Sequence, residues 1–490
     1  MNSFKKLVGE TAIYGVSSIV GRFLNWWLVP YYSHIFLTSD YGIVTNLYSY
    51  MAFLLVLLTY GMETGYFRFA SDHKDKELVY SSSMISLFIT SISFLLVVFS
   101  FSDVIAGWMD YSDHPEYIGW IALIMAFDAF TSIPFAKLRI ESKALKFAVL
   151  KLINIFANIF FNIFFLTICP TLLKNNPHHW VSYIYSDEIG VGYVFISNLI
   201  ASALTFLLLI PDLRIKLRFD GKLLKEMVWY SFPILVVGIA GMVNQNIDKI
   251  LIPELIPAVQ HPMEQLGIYG ANYKLAVLMN MFIQAFRYAF EPFFFSQVKT
   301  ENNKKGYALI LKYFVIFGLL IFLGISLFLD LFQTLNIIDS EYYSGLKVVP
   351  FILMANLFLG IYYTLSLWYK LTDKTRYGAY FALVGAGISL IINIIFIPIY
   401  GYMASAIAVL ICFFVMAVLS YVVGQKHYPV NYPIKRISFY FILSLFLFFL
   451  SRIVKPEGVF AENVFHVFIL LVFIMIIYIL ENKELRKFLH

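Results

Sequence analysis

Charge is what this sequence has least of. Only 13% of its 490 residues are Asp, Glu, Lys or Arg and 60% are hydrophobic, against about a quarter charged in ordinary soluble domains. A water-soluble fold of this size could not cover its surface, so lipid is the expected solvent. Cysteine is almost missing as well. Cys169 and Cys412 are the only two, both inside apolar runs, which excludes a disulfide framework and a cysteine-built metal cluster. There is no phosphate-cradling glycine loop, nucleophile elbow or zinc spacing, and His178-His179 reads as solvated. No metal and no cofactor are expected.

What the chain has instead is apolar and aromatic bulk, including 50 Phe and 34 Tyr, side chains suited to hydrocarbon and to the headgroup level. A membrane-crossing helix needs about 20 mostly apolar residues. By that measure the sequence predicts an all-α, polytopic integral membrane protein of about fourteen transmembrane helices. They fall near 11–33, 42–67, 80–102, 117–136, 147–169, 190–211, 228–252, 266–290, 308–329, 347–369, 377–397, 402–424, 436–451 and 463–480. The opening MNSFKKLVGETAIYG lacks a small-residue cleavage site and runs into too long an apolar stretch for a signal peptide. It reads as a retained first span.

Loop charge tests this count, because cytoplasmic loops should carry the Lys and Arg. With the N-terminus inside, every inner segment is basic, from Lys5 and Lys6, through Lys137, Arg139, Lys143 and Lys146, to Lys483, Arg486 and Lys487. The outer segments hold only Lys174, Lys347, Arg452 and Lys455. Both termini are therefore expected in the cytoplasm. The formal charge of +6 then belongs to the inner membrane face, and nucleic acid is not expected as a partner.

The chain also resembles itself. LTSDYGIVTNLYSYMAFLL, from Leu37, aligns with MEQLGIYGANYKLAVLMNM, from Met263, placing Gly42-Ile43 on Gly267-Ile268 and Tyr48 on Tyr273. The shift of about 225 residues spans six helices and lays the seventh over the first with the same orientation. This predicts two parallel six-helix lobes and an extra C-terminal helical pair. The N-lobe is 1–212, a basic cytoplasmic linker 213–227, the C-lobe 228–424, and the last pair with its tail 425–490. Parallel repeats of this kind recur in transporters, with the substrate between the lobes.

Several stretches together resemble the polysaccharide-exporter flippases, lipid-linked oligosaccharide translocases of the multidrug/oligosaccharidyl-lipid/polysaccharide superfamily. These are Gly21-Arg22 in the first helix, Asp40-Tyr41-Gly42 after a short outer turn, Tyr60-Gly61-Met62-Glu63-Thr64-Gly65 closing the second helix, and Trp229-Tyr230-Ser231-Phe232-Pro233 opening the seventh. The resemblance covers essentially the whole chain. It implies a protein of the bacterial cytoplasmic (inner) membrane that moves an undecaprenyl-pyrophosphate-linked oligosaccharide between leaflets by alternating access, with no bond made or broken. The glycan would feed a surface polysaccharide such as O-antigen or capsule, alongside a polysaccharide polymerase and other export machinery. Two competitors share parts of the evidence. A multidrug or cation antiporter of the same superfamily favours twelve helices and cavity acids, and a polysaccharide polymerase or ligase needs long outer loops with catalytic residues.

Ionisable groups at bilayer depth are functional candidates, because each costs at least a few kcal/mol. Arg22 lies near the middle of the first span with Tyr14, Ser18 and Asn25 on its side of the helix. It suits a pyrophosphate through its bidentate fork, or it pairs structurally with Glu63 or Asp128. The seventh span holds Asn244, Gln245, Asn246, Asp248 and Lys249, either a cationic wall facing Arg22 or an internal Asp248–Lys249 pair with the lysine snorkelling to water. In the eighth, Tyr273, Asn280, Gln284, Arg287 and Glu291 share one stripe. Arg287 would meet the headgroup or pair with Glu291. Arg22, Asn25, Asn244, Lys249, Gln284 and Arg287 are thus the candidate substrate contacts. Glu63, Asp128, Asp248 and Glu291 are candidates for ion coupling, or simple neutralisers of nearby cations.

Overall fold

The computed structural model describes the backbone of residues 2–213, 218–296 and 303–489, and the side chains of 15–213, 218–288 and 304–482. Among the described residues there is no strand; the chain passes from helix to helix between Asn2 and Leu489. The solvent dictates this, since in hydrocarbon a lone segment satisfies its backbone only as a helix. Twelve helices among the described residues are long and apolar enough to cross a membrane, from Thr38–Asp72 to Val459–Asn482, and they fall on twelve of the fourteen predicted spans. The other two predicted spans, 11–33 and 266–290, are helical as well. The first is α1 (Asn2–Ser33).

The following helices are α2 (Thr38–Thr59), α3 (Met62–Asp72), α4 (Lys76–Ser100), α5 (Glu116–Ile140), α6 (Ala144–Ile163), α7 (Gly192–Leu209) and α8 (Gly221–Leu255). Then come α9 (Pro262–Leu275) and α10 (Val277–Ser296), which together make the eighth span, and α11 (Asn303–Leu327), α12 (Val349–Leu365), α13 (Arg376–Tyr400), α14 (Tyr402–His427), α15 (Ile434–Ile453) and α16 (Val459–Leu489). The chain gathers into two compact units, Met1–Gly270 with Asn393–Gly401, and Ala271–Ile392 with Tyr402–His490. In the first, α8 packs on α2, α3 and α4, α5 on α4 and α7, and α6 on α1 and α7. In the second, α12 runs along α14, while α11 packs on α12, α15 and α16.

Glycines set the close contacts. Tyr60 and Gly61 take φ of 35° and 72°, a left-handed turn that ends α2 and redirects the chain into α3. A Cβ on Gly61 would lie 3.0 Å from the Ser231 carbonyl oxygen, and one on Gly65 2.4 Å from Ser231 Oγ. Two stretches that carried the family resemblance, Tyr60–Gly65 and Trp229–Pro233, are therefore the two sides of one helix contact.

The internal repeat has a geometric counterpart too. A Cβ on Gly42 would lie 2.1 Å from the Met263 carbonyl oxygen, and one on Gly267 1.7 Å from the Thr38 carbonyl oxygen. The shift that carries Gly42 to Gly267 carries Thr38 to Met263, so each contact is the image of the other. A Cβ on Gly270 would meet Thr45 Oγ1 at 2.4 Å, and the same shift carries Thr45 to Gly270. Helices meeting on a local two-fold axis contact in this self-complementary way.

On the loop side, residues 218–220 dock on the start of α4. Ser81 Oγ accepts from the Arg218 N–H at 3.0 Å and Ser82 Oγ from the Asp220 N–H at 3.3 Å. Asp75 caps α4 by accepting from the Leu78 N–H at 3.0 Å, and its other oxygen is 2.8 Å from Arg218 Nη1. The cap, and then the guanidinium, hold the Asp75 carboxyl below the usual carboxylate range.

Candidate functional site

On α5, Asp128, Thr131, Ser132, Phe135 and Arg139 recur every three or four residues and so face one way. The opposite face is apolar, with Ile133 and Ala136 fully buried against Met84 and Leu87 of α4. Packing that face inward leaves the polar face toward α6, where Phe147, Lys151 and Asn154 repeat the spacing. With Leu55 of α2, Glu63 of α3 and Thr205 of α7, these side chains line a cavity of about 320 Å³ inside the first compact unit.

Its polar groups are graded by depth. Arg139 is in the last turn of α5 and Asp128 lies about 16 Å further along the same helix, from the rise per residue. Arg139 Nη1 donates to Glu63 Oε1 at 2.9 Å with both side chains about half exposed, and its guanidinium sits 4.8 Å from the Phe67 ring centre. Deeper in, Asp128 Oδ1 accepts from Ser202 Oγ at 2.9 Å. Asn154 Nδ2 donates to Thr205 Oγ1 at 3.0 Å, and the Thr205 hydroxyl in turn donates to the Ala201 carbonyl at 2.8 Å. The Lys151 ammonium stands 4.1 Å from the centre of the Phe135 ring and makes no ion pair among the described residues. Cations, carboxylates, hydroxyls and an amide lining one cavity suit a polar, hydroxyl-rich guest.

Of the residues singled out from the sequence, Glu63 and Asp128 come together in this cavity, Glu63 on Arg139 and Asp128 on Ser202. Arg22 and Asn25 lie on the exposed face of α1, outside the cavity lining. Their helix packs on α6, where a Cβ on Gly21 would come within 2.5 Å of Ile155. Asn244, Asp248 and Lys249 are buried on α8 at 3%, 1% and 7% exposure. Of the two readings of that cluster, the internal pair is the one observed. Lys249 Nζ is 3.1 Å from Asp248 Oδ1 and donates to the Gln245 carbonyl at 2.7 Å. Tyr269 donates its hydroxyl to Asp248 Oδ2 at 2.5 Å. The lysine does not snorkel, because a carboxylate and a carbonyl one turn back hold it inside. In the second unit, Gln284 is half-buried, with Oε1 accepting no hydrogen bond among the described residues. Arg287 lies over the Tyr363 ring at 4.7 Å, and the Glu291 side chain is outside the described residues.

Sequence reasoning passed over Lys151 and Asn154, and with them Lys312 and Glu481. Lys151 falls inside the predicted span 147–169, close behind the inner-loop Lys143 and Lys146, and was not singled out. A helical-face test would have found it, since Lys151, Asn154, Asn158 and Asn162 follow at spacings of three, four and four. Lys312 of α11 and Glu481 of α16 form a buried ion pair with 1% and 0% of their side chains exposed. Tyr440 of α15 donates to the same carboxylate, and Arg436 Nη1 stands 3.5 Å away. This cluster ties the C-terminal helical pair to α11.

An all-helical chain of membrane-length spans with a charged cavity among them is a multi-pass membrane protein. Its fold is that of superfamily transporters already solved. A lipid II flippase MurJ in an inward closed conformation matches with a TM-score of 0.70 and 15% identity, covering 95% of this chain and 99% of that one. An inward-facing multidrug resistance MATE family transporter of the MOP superfamily matches at 0.64 and 14%, covering 85% and 94%. Residues 35–322 match the sequence model of the family described as polysaccharide biosynthesis protein, and the chain belongs to that family. No curated protein matches it by sequence.

Proposed function

We propose that the protein is a flippase for a lipid-linked saccharide. In this reading it carries an undecaprenyl-pyrophosphate-linked oligosaccharide across the bacterial cytoplasmic (inner) membrane, with both termini in the cytoplasm, by alternating access and without bond chemistry. The glycan goes on to a polysaccharide polymerase and export machinery for O-antigen or capsule. The division into lobes 1–212 and 228–424, with the pair after 425, belongs to the same reading and is supported by the reciprocal Gly42 and Gly267 contacts.

The observation that carries the reading is the cavity of Lys151, Asp128, Arg139, Glu63, Asn154 and Thr205 among membrane-length helices in a chain of the polysaccharide biosynthesis family. An apolar drug needs few such groups, whereas a sugar headgroup needs hydrogen-bond partners to replace its water. The test is reconstitution into vesicles with a fluorescent polyprenyl-pyrophosphoryl saccharide, scoring accessibility of the label to a membrane-impermeant quencher. Label in the inner leaflet should become accessible only in vesicles holding the protein. Equal accessibility with and without protein would overturn the reading. The likeness to a multidrug transporter favours a second reading, an antiporter. It predicts proton- or sodium-driven flux of a cationic drug in the same vesicles and no movement of the labelled lipid.

A further inference from the structure

We infer that Lys151 and Asp128 form one two-sided subsite for a phosphorylated sugar, with Lys151 meeting a phosphate oxygen and Asp128 accepting from a sugar hydroxyl. The inference rests on the saccharide cargo proposed above and names the side chains that take it. The chain itself supplies the contrast. Among the described residues, two buried acid–base pairs are closed: Lys249 is 3.1 Å from Asp248, Lys312 lies directly on Glu481, and none of the four lines the cavity. Lys151 and Asp128 line the same 320 Å³ cavity, yet they are not within ion-pair distance of each other among the described residues.

Lys151 is an exposed side chain of that lining, so its charge is kept without closing on Asp128. Holding the ammonium over Phe135 instead, at 4.1 Å, keeps a charge pointed into open volume. Asp128 is likewise half used. Oδ1 is taken by Ser202, which orients the carboxylate and leaves Oδ2 to accept. The cavity is within the size range of small-ligand pockets, and Asn154 and Thr205, hydrogen-bonded to each other, also line it. Lysine is a point-charge binder of phosphate, and a carboxylate and an amide lining the same cavity are an acceptor and a donor for sugar hydroxyls. The guest is therefore anionic at one end and hydroxylated at the other.

The experiment uses the purified full chain and glucose 1-phosphate as probe, with inorganic phosphate, glucose and farnesyl-phosphoryl-glucose for comparison. Wild type should bind glucose 1-phosphate at least tenfold more tightly than phosphate or glucose alone. Lys151→Met, or Lys151→Gln if the first variant folds poorly, should reduce glucose 1-phosphate to the affinity of glucose. Asp128→Asn should reduce it to that of phosphate, and Lys143→Met, outside the cavity on Glu141, should leave it unchanged. Tighter binding of the farnesyl conjugate identifies a lipid-borne guest. Tighter binding of the free sugar phosphate keeps the subsite and overturns the lipid-linked cargo. Unchanged binding in both the Lys151 and Asp128 variants overturns the subsite, and leaves the cargo reading standing if wild type still moves the labelled lipid in vesicles.

Discussion

Alanine at Gly267 would put a methyl carbon 1.7 Å from the Thr38 carbonyl oxygen, where ordinary contact begins near 3.4 Å. Neither side of that clash is a flexible side chain, so α2 and α9 must separate by about 1.7 Å, the difference between the two distances. Gly42→Ala requires a similar opening, because its methyl would lie 2.1 Å from the Met263 carbonyl oxygen. Forced overpacking of this kind typically costs about 1–3 kcal/mol. One movement relieves both clashes, so the double variant should cost less than the sum of the singles, with a coupling of about 1 kcal/mol or more. Gly241→Ala is the internal control, since nothing lies within 4 Å of the added carbon. Thermal unfolding midpoints of wild type and these four variants in one detergent supply the comparison. A Gly267→Ala midpoint equal to that of Gly241→Ala, or strict additivity in the double variant, would refute the reciprocal backbone contact.

Three further outcomes are expected. Lys312→Met leaves the fully buried Glu481 carboxylate with only the Tyr440 hydroxyl and the half-exposed Arg436 at 3.5 Å and should cost up to about 3 kcal/mol, while Lys312→Met with Glu481→Leu should recover most of that loss, as apolar replacements of buried ion pairs do; denaturation of both variants checks it. The depressed Asp75 carboxyl gives stability that is present above its unfolded value of about 3.9 and disappears as pH falls from there toward its native value. The midpoint difference between wild type and Asp75→Ala should accordingly be steady from about pH 5 to 8 and shrink below about pH 4. In the vesicle assay Lys151→Met should slow saccharide movement at least tenfold more than Arg22→Ala, because Lys151 lines the cavity and Arg22 does not; the opposite order would return the headgroup role to Arg22.

Much of the site was legible as residue type and little of it as place. Glu63 and Asp128 stood out because carboxylates in apolar runs are rare, and both line the cavity. Their partners were not foreseen. Arg22 was the salient cation of the N-terminal helices, whereas Arg139 and Ser202 are the groups on the two acids. Lys249 read equally well as a cavity cation or half of an ion pair, and only the fold of its side chain back onto Asp248 and the Gln245 carbonyl decided it. Lys312 and Glu481 lie 169 residues apart, so no local pattern could have joined them.

By itself the sequence determined the solvent, the helical class and the register of the spans, because each depends on quantities summed along the chain: scarcity of charge, length of apolar runs and the count of cations in successive loops. It also held the repeat that sets Gly42 over Gly267. Tertiary structure alone decided which polar side chains meet. Ion-pair closure turns on ångström distances, within one helix for Asp248 and Lys249 and between helices 169 residues apart for Lys312 and Glu481, and that is what separates these satisfied pairs from the open Lys151 and Asp128.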